Sequence, residues 1–281
     1  MSKVAVIGIV GNSVFLPVEK FHVGGETVEA KDVHFELGGK GFNQAVAAAR
    51  YGAEVSFLAA VGRDSYDSVQ TFLKRENVDG VLIKKEEKTA FAAIVTDAKG
   101  SNRVTVYQGA QLSEADVFQF EERIKNADIL LLNNEVSEEV NVKAIEIAKR
   151  YGVKIVLNPA PARKTCGYIL QNVDLFTPNE HETLGIEDKT NVVMTVGKRG
   201  CLLKNENKLI PAVEVGTVLD TTGAGDTFNG VLAANLGDGK SLEEAAETAN
   251  LASGLGVTRK YAVSSIPTRA EIENLSVKKG E

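Results

Sequence analysis

The segment from Asp220 to Phe228 concentrates the side chains of this chain that could do chemistry. Its sequence, DTTGAGDTF, holds two aspartates, three threonines and two glycines. Glycines let backbone amides approach an oxygen-rich ligand, and the first free N–H groups of a following helix attract anions. Asp226 beside such an anion site could accept the proton of a hydroxyl group that attacks a bound phosphate. The alternative is that Asp226 caps the helix.

The flanking residues predict how this segment is positioned. Residues 209–215 have the character of a strand, and Phe228, Val231, Leu232 and Leu236 recur at helical spacing. The glycines therefore lie at a turn between a strand and a helix, where backbone amides can face a ligand.

Short apolar runs alternate with helical patterns along most of the chain. Strands are predicted at 4–10, 54–61, 81–83, 129–132, 154–157, 175–177 and 192–196, and helices at 43–50, 65–76, 139–151 and 242–256. Such runs predict a parallel sheet that is buried on both faces. Ligands collect beyond the carboxyl ends of these strands, so we expect the polar residues there, among them Asn133 to Glu135 and Asn158, to face one crevice.

A second group of strands has no helices between its members. Strands are predicted at 15–18, 26–30 and 33–37, and a later hairpin at 90–96 and 103–107 has its loop at 97–102. These segments predict a small separate sheet, drawn from about 12–37 and 88–107.

Charge and cysteine content limit the possible partners and compartment. The net charge is −6 and no Lys/Arg cluster forms a patch, which argues against nucleic-acid and membrane partners. The two cysteines, Cys166 and Cys201, are too few for a disulfide framework and indicate free thiols in the cytoplasm. The apolar run at 4–10 is too short to span a bilayer.

Three motifs in the chain resemble those of one enzyme family. Asp220 to Phe228 resembles the C-terminal motif of the ribokinase-like (PfkB) carbohydrate kinases, and Gly38 to Gly52 resembles their N-terminal motif. Leu157 to Ala162 resembles a stretch typical of the ribokinases within that family. The resemblance runs from about Val4 to about Pro267.

The resemblance implies an α/β fold over residues 1–281: a ribokinase-like, doubly wound, mostly parallel central sheet flanked by helices, with a small discontinuous β-sheet lid. It also implies an ATP-dependent kinase that phosphorylates the primary hydroxyl of a small sugar, with D-ribose as the first candidate. Because a small sheet leaves edges and a second face uncovered, we expect a homodimer through the lid.

The resemblance assigns roles to individual residues. Asp226 is the expected catalytic base, and the amides of Gly223, Ala224 and Gly225 are expected to stabilise the transferring group. The expected sugar-binding residues are Asn12, Ser13, Gly39, Lys40, Asn43, Glu135 and Asp226.

The same resemblance covers the nucleotide and the cations. The expected nucleotide-binding residues are Asn179, Thr195, Gly197, Gly200 and Asn250. Glu182 is expected to hold Mg²⁺ through water, which suits an ion that keeps most of its waters. Asp220, Thr222 and Ser264 are expected to bind a monovalent cation, K⁺.

Two departures from the family pattern keep the substrate open. Ribokinases have an Asn and an Asp at the end of the first strand, where this chain has Gly11 and Ser13 with Asn12 between them. Another sugar or a nucleoside therefore remains an alternative substrate. The segment 186–191 is also shorter than in relatives, which trims one flank of the sheet.

Two other classes of protein fit these residues less well than a kinase. A non-catalytic sugar or nucleotide sensor is disfavoured by the intact Asp226 and its Gly-Ala-Gly loop. A dinucleotide-binding enzyme is disfavoured because Gly8 and Gly11 lack the third glycine of that fingerprint.

Overall fold

The fold is taken from a computed structural model that describes residues 1–99, 101–213 and 215–277. The strands are β1 (Lys3–Ile7), β2 (Gly11–Pro17), β3 (His34–Gly38), β4 (Glu54–Gly62), β5 (Val78–Lys85), β6 (Ala90–Thr96), β7 (Asn102–Tyr107), β8 (Ile129–Asn133), β9 (Lys154–Asn158), β10 (Leu175–Phe176), β11 (Val193–Thr195), β12 (Cys201–Leu203) and β13 (Lys208–Ile210). The helices are α1 (Lys40–Tyr51), α2 (Tyr66–Arg75), α3 (Glu114–Val117), α4 (Glu121–Lys125), α5 (Glu138–Tyr151), α6 (Gly167–Asn172), α7 (Ala224–Gly237), α8 (Leu242–Gly256) and α9 (Arg269–Val277). Short 3₁₀ helices lie at Phe118–Phe120, Gly197–Arg199 and Val263–Ser265.

The central sheet has six parallel strands in the order β10-β9-β8-β1-β4-β5. Its strands are rich in Val, Ile and Leu because both faces are covered, and all five residues of β8 are buried. One hydrophobic cluster, with Phe42, Phe57 and Phe228, packs on one face. A second cluster, with Phe120 and Phe176, packs on the other. The predicted doubly wound α/β fold is confirmed.

Helices α1 and α7 pack against each other unusually closely. At the crossing their contact surface has small residues, with the buried Ala47 and Ala48 against Gly230. A Cβ atom on Gly230 would lie 2.3 Å from the carbonyl oxygen of Gln44, so glycine is required at that crossing. This close approach brings the first turns of the two helices side by side.

Four strands from two separate segments form a smaller sheet in the order β3-β2-β6-β7, which we call the lid sheet. Strands β2 and β6 are parallel, and the other two pairs are antiparallel. The strand predicted at 26–30 is wrong: within it, Ala30 makes one isolated bridge to Val18. The Glu26 carboxylate instead accepts hydrogen bonds from Lys20 and Val23, which folds the segment back on itself. Gly100 of the predicted hairpin loop lies outside the described residues.

A third sheet, antiparallel with the order β11-β12-β13, extends from the edge of the central sheet. The strand predicted at 192–196 forms as β11 and pairs antiparallel with β12, while its predicted parallel pairing with the main sheet is reduced to isolated bridges beside β10. Isolated parallel bridges, Phe176 to Val192 and Asn179 to Thr195, connect the two sheets. The strand predicted at 209–215 ends at Ile210, because Pro211 has no N–H to donate to a ladder; Glu214 lies outside the described residues.

The helices and the two cysteines bear on membrane insertion and on thiol chemistry. In the described part of the chain, no helix has both the length and the apolar character needed to cross a membrane. Cys166 is half-buried and Cys201 is buried, and both are free thiols. Burial raises the pKa of Cys201 to about 12, so this thiol stays protonated and unreactive at neutral pH.

Candidate active site

Asp226 lies in the first turn of α7, just after the glycine-rich turn. Gly223 precedes the helix in the left-handed conformation, with φ 76°, which glycine adopts without strain. The Asp226 side chain is only 7% exposed. Its Oδ2 accepts a hydrogen bond of 2.8 Å from Asn43 Nδ2, and its Oδ1 one of 3.2 Å from Gln44 Nε2. Because these partners belong to α1, the carboxylate is held across the helix pair rather than used as a cap.

Lys40 and three carboxylates form an electrostatic cluster around this point. Burial raises the pKa of Asp226, against the opposing effects of Lys40, Asn43 and Gln44. Burial and the neighbouring Asp226 raise the pKa of Glu135 to about 7. Burial alone would lower the pKa of Lys40, but the charges of Asp226, Glu135 and Glu182 outweigh it and raise that pKa. The ammonium group is therefore charged at neutral pH, amid carboxylates whose charge it offsets.

A cleft of about 320 Å³ opens between the lid sheet and the carboxyl ends of the central strands. It lies at the small end of the size range of small-molecule sites. Five of the predicted sugar-binding residues line it: Asn12, Ser13, Gly39, Lys40 and Glu135. The lid sheet contributes Phe91 and Val106 to its walls. Asn43 is buried, and its amide nitrogen bonds Asp226.

Close backbone contacts fix the floor of the cleft. Gly39 has φ 114°, and a Cβ atom there would lie 2.4 Å from the carbonyl oxygen of Ile9. The next residue, Lys40, donates its backbone N–H to Glu135 Oε2 at 2.6 Å. Asn12 donates from Nδ2 to Ser65 Oγ at 2.8 Å. The contact between Lys40 and Glu135 places an ammonium group and a carboxylate at the same wall of the cleft.

The predicted nucleotide residues lie beyond β10 and in the third sheet. Glu182 Oε2 accepts the backbone N–H of Asn179 at 3.0 Å, and Asn179 Oδ1 accepts that of His181 at 2.8 Å. The backbone N–H of Thr195 donates to the carbonyl of Pro178 at 2.9 Å. Gly197 is exposed at the start of its 3₁₀ helix. Residues 179–182 therefore form a turn that is closed by its own side chains.

Gly200 and Asn250 have evident packing roles in the third sheet. A Cβ atom on Gly200 would lie 2.0 Å from the carbonyl oxygen of Ile210. Asn250 Nδ2 donates to the carbonyls of Ile210 and Pro211, at 3.2 and 3.4 Å. Both residues thus hold the chain where β13 ends, and their contact with a nucleotide stays a prediction.

The three residues predicted to bind a monovalent cation fall into two hydrogen-bonded groups. Asp220 Oδ1 accepts the backbone N–H and the hydroxyl of Thr222, at 2.9 and 2.7 Å, and its Oδ2 accepts the N–H of Tyr261 at 2.9 Å. Ser264 instead donates its N–H and hydroxyl to Glu36 Oε2, at 3.1 and 2.9 Å. In the residues described, no three His, Cys, Asp or Glu side chains form a metal cluster.

Glu36 is one residue at this site that the sequence analysis missed. From the lid sheet its Oε1 accepts the amides of Ala262 and Val263, at 2.8 and 3.3 Å. Its neighbour His34 stacks on Tyr261, with ring centroids 3.7 Å apart. The lid is therefore bonded to the loop at 261–264. Nothing in the sequence signals a partner more than two hundred positions away.

The sequence analysis assigned no partner to a second set of buried amides and a hydroxyl: Gln44, Thr177, Asn229, and Asn158, which it expected only to face the crevice. Their signal in the sequence is a polar residue within an apolar helix or at the end of an apolar strand. Gln44 lies inside the Gly38 to Gly52 motif and follows Asn43, whose role was assigned. That signal marks a buried polar group but does not name its partner.

Comparisons with known proteins agree with this arrangement. The model for the pfkB family carbohydrate kinases matches residues 1–269. The ribokinase of Haemophilus influenzae is 36% identical to this chain, over 95% of each. The ribokinase structure from Giardia lamblia superposes with a TM-score of 0.88 at 25% identity, covering 99% of each chain. Ribokinase from Arabidopsis thaliana complexed with ribose and ATP has a TM-score of 0.85 at 26% identity, covering 98% of each.

Proposed function

The chain belongs to the pfkB family of carbohydrate kinases and is an ATP-dependent sugar kinase, and we propose that it converts D-ribose to ribose 5-phosphate. One observation carries this proposal. The buried carboxylate of Asp226 lies at the N-terminus of α7, bonded to Asn43, while the residues just before Asn43 line a sugar-sized cleft. The first turn of α1 thus links the proton acceptor, Asp226, to the cleft that is proposed to hold the sugar.

In the proposed mechanism Asp226 takes the proton of the primary hydroxyl of the sugar. The hydroxyl oxygen attacks the γ-phosphorus of ATP, and ADP leaves. The backbone amides of Gly223, Ala224 and Gly225, at the positive end of the α7 dipole, are proposed to stabilise the negative charge on the transferring group. In this structure the Ala224 N–H donates to the Thr221 carbonyl at 3.2 Å and must turn from it to do so. The charged Lys40 offsets the carboxylates that surround it. This arrangement needs no covalent intermediate on the protein.

The cleft residues are proposed to bind the sugar hydroxyls. Glu135 offers a carboxylate acceptor, and Asn12 and Ser13 offer neutral polar groups from β2. Asn43 Oδ1 is buried without a hydrogen-bond partner among the described residues, which supports its accepting a hydrogen bond from the sugar. Gly39 supports the site through its backbone, because a side chain there would strike Ile9.

The nucleotide is proposed to lie along the turn at 179–182 and the third sheet, near Asn179, Thr195, Gly197, Gly200 and Asn250. Glu182 is proposed to hold Mg²⁺ through water. A single carboxylate in a half-exposed turn fits this ion, which keeps several waters and takes few protein ligands. When bound, Mg²⁺ neutralises the phosphate oxygens of ATP.

A potassium ion is proposed beside the glycine-rich turn. The carboxylate of Asp220 and the hydroxyl of Thr222 are hard oxygen ligands that suit such an ion. Ser264 contributes through the position of its loop, since its own hydroxyl bonds Glu36. Bound there, the ion orders the turn that carries the amides. Higher activity in potassium than in sodium supports this site, and equal rates in potassium, sodium and a bulky organic cation contradict it.

A homodimer through the lid sheet is proposed from its exposed apolar side chains. The strand register puts Phe35 and Tyr107 on one face, where they are 69% and 51% exposed. Apolar patches of this kind mark interaction surfaces. Light scattering at micromolar concentration tests the proposal, which a monomer contradicts.

The free thiols of Cys166 and Cys201 support a cytoplasmic location.

An alternative acceptor, a different sugar or a nucleoside, is favoured by one observation. Ser13 places a short neutral group in the cleft, where the ribokinases resembled by this chain have an Asp. Each hydrogen bond to a charged acceptor that is lost weakens binding by about 1.5–3 kcal/mol. The affinity for ribose therefore depends on Asn12 or a water replacing that carboxylate.

An assay of ADP release across sugars and nucleosides tests the proposed function. Purified protein with Mg-ATP should release ADP fastest with D-ribose, and Asp226→Asn should abolish most of that release. A higher kcat/KM for another sugar or for a nucleoside overturns the assignment of ribose. The absence of acceptor-dependent ADP release with every compound overturns the kinase mechanism.

A further inference from the structure

Gln44 occupies a position that the proposed mechanism does not use. It is the residue after Asn43, is completely buried, and donates both hydrogens of its amide nitrogen. One goes to Asp226 Oδ1 at 3.2 Å and the other to Asn158 Oδ1 at 3.2 Å. A side-chain amide has two N–H donors, so the donating capacity of Gln44 is fully used.

The contact to Asn158 continues through a closed ring of polar groups, which are buried up to Asn229 and reach the exposed Gly225 at the end. Asn158 Nδ2 donates to the carbonyl of Thr177 at 2.7 Å. The hydroxyl of Thr177 donates to Asn229 Oδ1. Asn229 Nδ2 then donates to the carbonyl of Gly225 at 2.8 Å. Because Gly225 precedes Asp226, the ring returns to the residue from which it started.

The ring joins four elements that the proposed mechanism needs in register. It connects α1, the carboxyl end of β9, the carboxyl end of β10 and the first turn of α7. The chain after β10 leads directly into the turn at 179–182, where the nucleotide is proposed to bind. The base and the phosphate side of the site are therefore tied together through buried side chains.

The orientation of the Gln44 amide is fixed by its neighbours. Rotating the amide by half a turn would place Oε1 against the oxygen atoms of Asp226 and Asn158, and acceptors repel one another. In the observed orientation Oε1 is buried without a hydrogen-bond partner among the described residues. An unpaired buried oxygen destabilises a fold. An apolar side chain of the same size would avoid that cost but would leave Asp226 Oδ1 and Asn158 Oδ1 without their Gln44 donor.

We propose that Gln44 is a positioning residue for phosphoryl transfer, holding the Asp226 carboxylate ionised and aligned with the end of β10. The proposal rests on the proposed function, in which Asp226 is the base. Gln44 does not line the sugar cleft and acts through Asp226. It is distinct from Asn43, which bonds the other oxygen of the same carboxylate.

The electrostatic surroundings of Asp226 set the expected pH dependence. Lys40 on α1, Glu135 after β8 and Glu182 after β10 act on this carboxylate, and Asn43 donates to it. Removing the Gln44 donor leaves these groups in place. It takes away one of the interactions that lower the pKa of Asp226 against the effect of burial. The pKa of Asp226 therefore rises, more of the base is protonated at a given pH, and the acid limb of kcat moves to higher pH.

The test compares Gln44→Met with a matched control, Asn235→Leu. Asn235 is a buried amide on α7 that accepts the Tyr51 hydroxyl of α1 at 3.1 Å. It therefore joins the same two helices as Gln44 without touching Asp226. Both substitutions remove a buried hydrogen bond between α1 and α7 and should lower Tm by similar amounts. They differ in whether the base loses a donor.

We expect Gln44→Met to lower kcat at pH 7 by about 10- to 100-fold, as for a lost hydrogen bond to a charged group. The acid limb of its kcat–pH profile should move to higher pH by about one pH unit. The KM values for sugar and ATP should stay within about threefold, because the loss falls on the transition state. Asn235→Leu should keep kcat within about twofold, because a core change away from the base acts on stability rather than on chemistry. Since Glu135 also titrates near pH 7, the displacement should persist in a Glu135→Gln background.

Gln44→Glu provides a second measurement if the methionine variant does not fold. It preserves shape but places a carboxyl group beside Asp226, so kcat should be low at neutral pH. Its ratio to the wild-type kcat should rise as the pH falls, because the introduced carboxyl group, once protonated, can again donate to Asp226. Wild-type kcat and pH profile in the Gln44 variants, or equal losses in Asn235→Leu, would overturn the proposal. Absence of sugar phosphorylation by the wild-type protein would instead overturn the proposed function.

Discussion

The sugar end and the nucleotide end of the site are held together in different ways. At the sugar end, Asp226 is bonded by Asn43 and Gln44, which lie 183 and 182 positions away along the chain. At the nucleotide end, Asn179 is bonded to Glu182 and His181, three and two positions away. The hydrogen bonds at the sugar end form only when the whole fold has formed. The hydrogen bonds at the nucleotide end belong to a local turn.

This difference indicates what each end contributes. Buried carboxylates and amides at the sugar end are preorganised for proton transfer, and they destabilise the fold when a partner is lost. A local, half-exposed turn can adjust when a nucleotide binds. We therefore expect substitutions at the sugar end to change kcat or stability strongly, and those at the nucleotide end to change mainly the KM for ATP.

The largest effect is expected from Asp226→Asn. The substitution keeps the size of the side chain but removes the proton acceptor, so kcat should fall by about 10²-fold or more. Because burial opposes the charge of Asp226, Tm should not fall. Steady-state kinetics and thermal unfolding measure the two quantities. Near-native turnover in this variant would remove Asp226 from the mechanism.

Gly39→Ala should disrupt the floor of the cleft. The new Cβ would lie 2.4 Å from the Ile9 carbonyl, at a residue with φ 114°. We expect a loss of about 2–4 kcal/mol in the free energy of unfolding. Gly24→Ala is the matched control, because nothing lies within 4 Å of a Cβ atom there. Urea unfolding compares the two, and equal stabilities would show that the floor is not rigid.

Glu135 should make stability depend on pH. Its pKa is about 7 in the folded protein, against an ordinary value of 4.5. The folded state therefore binds more protons between these pH values, and its stability falls as the pH rises through that window. Glu135→Gln should raise the free energy of unfolding at pH 8 by roughly 2 kcal/mol and not at pH 4.5, while raising the KM for sugar. A stability gain that is equal at both pH values would contradict the raised pKa.

The smallest effect on stability is expected at the nucleotide end. Asn179→Ala removes the local hydrogen bond from the His181 N–H in a half-exposed turn, so the free energy of unfolding should change by less than about 1 kcal/mol, while the KM for ATP rises. Its counterpart Asn158→Ala, in the buried ring, should lose about 1–3 kcal/mol. Chemical denaturation measures the free energy of unfolding of both variants. Equal losses of stability would contradict the difference between a local nucleotide end and a buried sugar end.

The sequence predicted the central sheet well because its signals are local. Runs such as Ile129 to Leu132 can hardly form anything other than buried strands, and the two glycine motifs fix where loops meet helices. The strand at 26–30 failed because Glu26 finds partners within six positions and closes the segment on itself. The strand at 192–196 meets the main sheet through isolated parallel bridges, but its antiparallel partner β12 was missed because periodicity predicts a strand and not its neighbour.

The candidate site shows the same limit. The residue types in the glycine-rich segment name the chemistry, and the resemblance names their roles. The bonds from Gln44 to Asp226 and from Glu36 to the loop at 261–264 join distant positions, so a single sequence does not contain them. They follow from the close crossing of α1 and α7 and from the docking of the lid sheet.

The central claim is that this site phosphorylates the primary hydroxyl of D-ribose. The most direct measurement is identification of the product by ³¹P and ¹³C NMR after reaction of the purified protein with Mg-ATP and D-ribose. The account predicts ADP and ribose 5-phosphate in equal amounts, with the phosphorus coupled to the C5 carbon and no product from Asp226→Asn. Unconsumed ribose, or phosphate attached at another carbon, would contradict it.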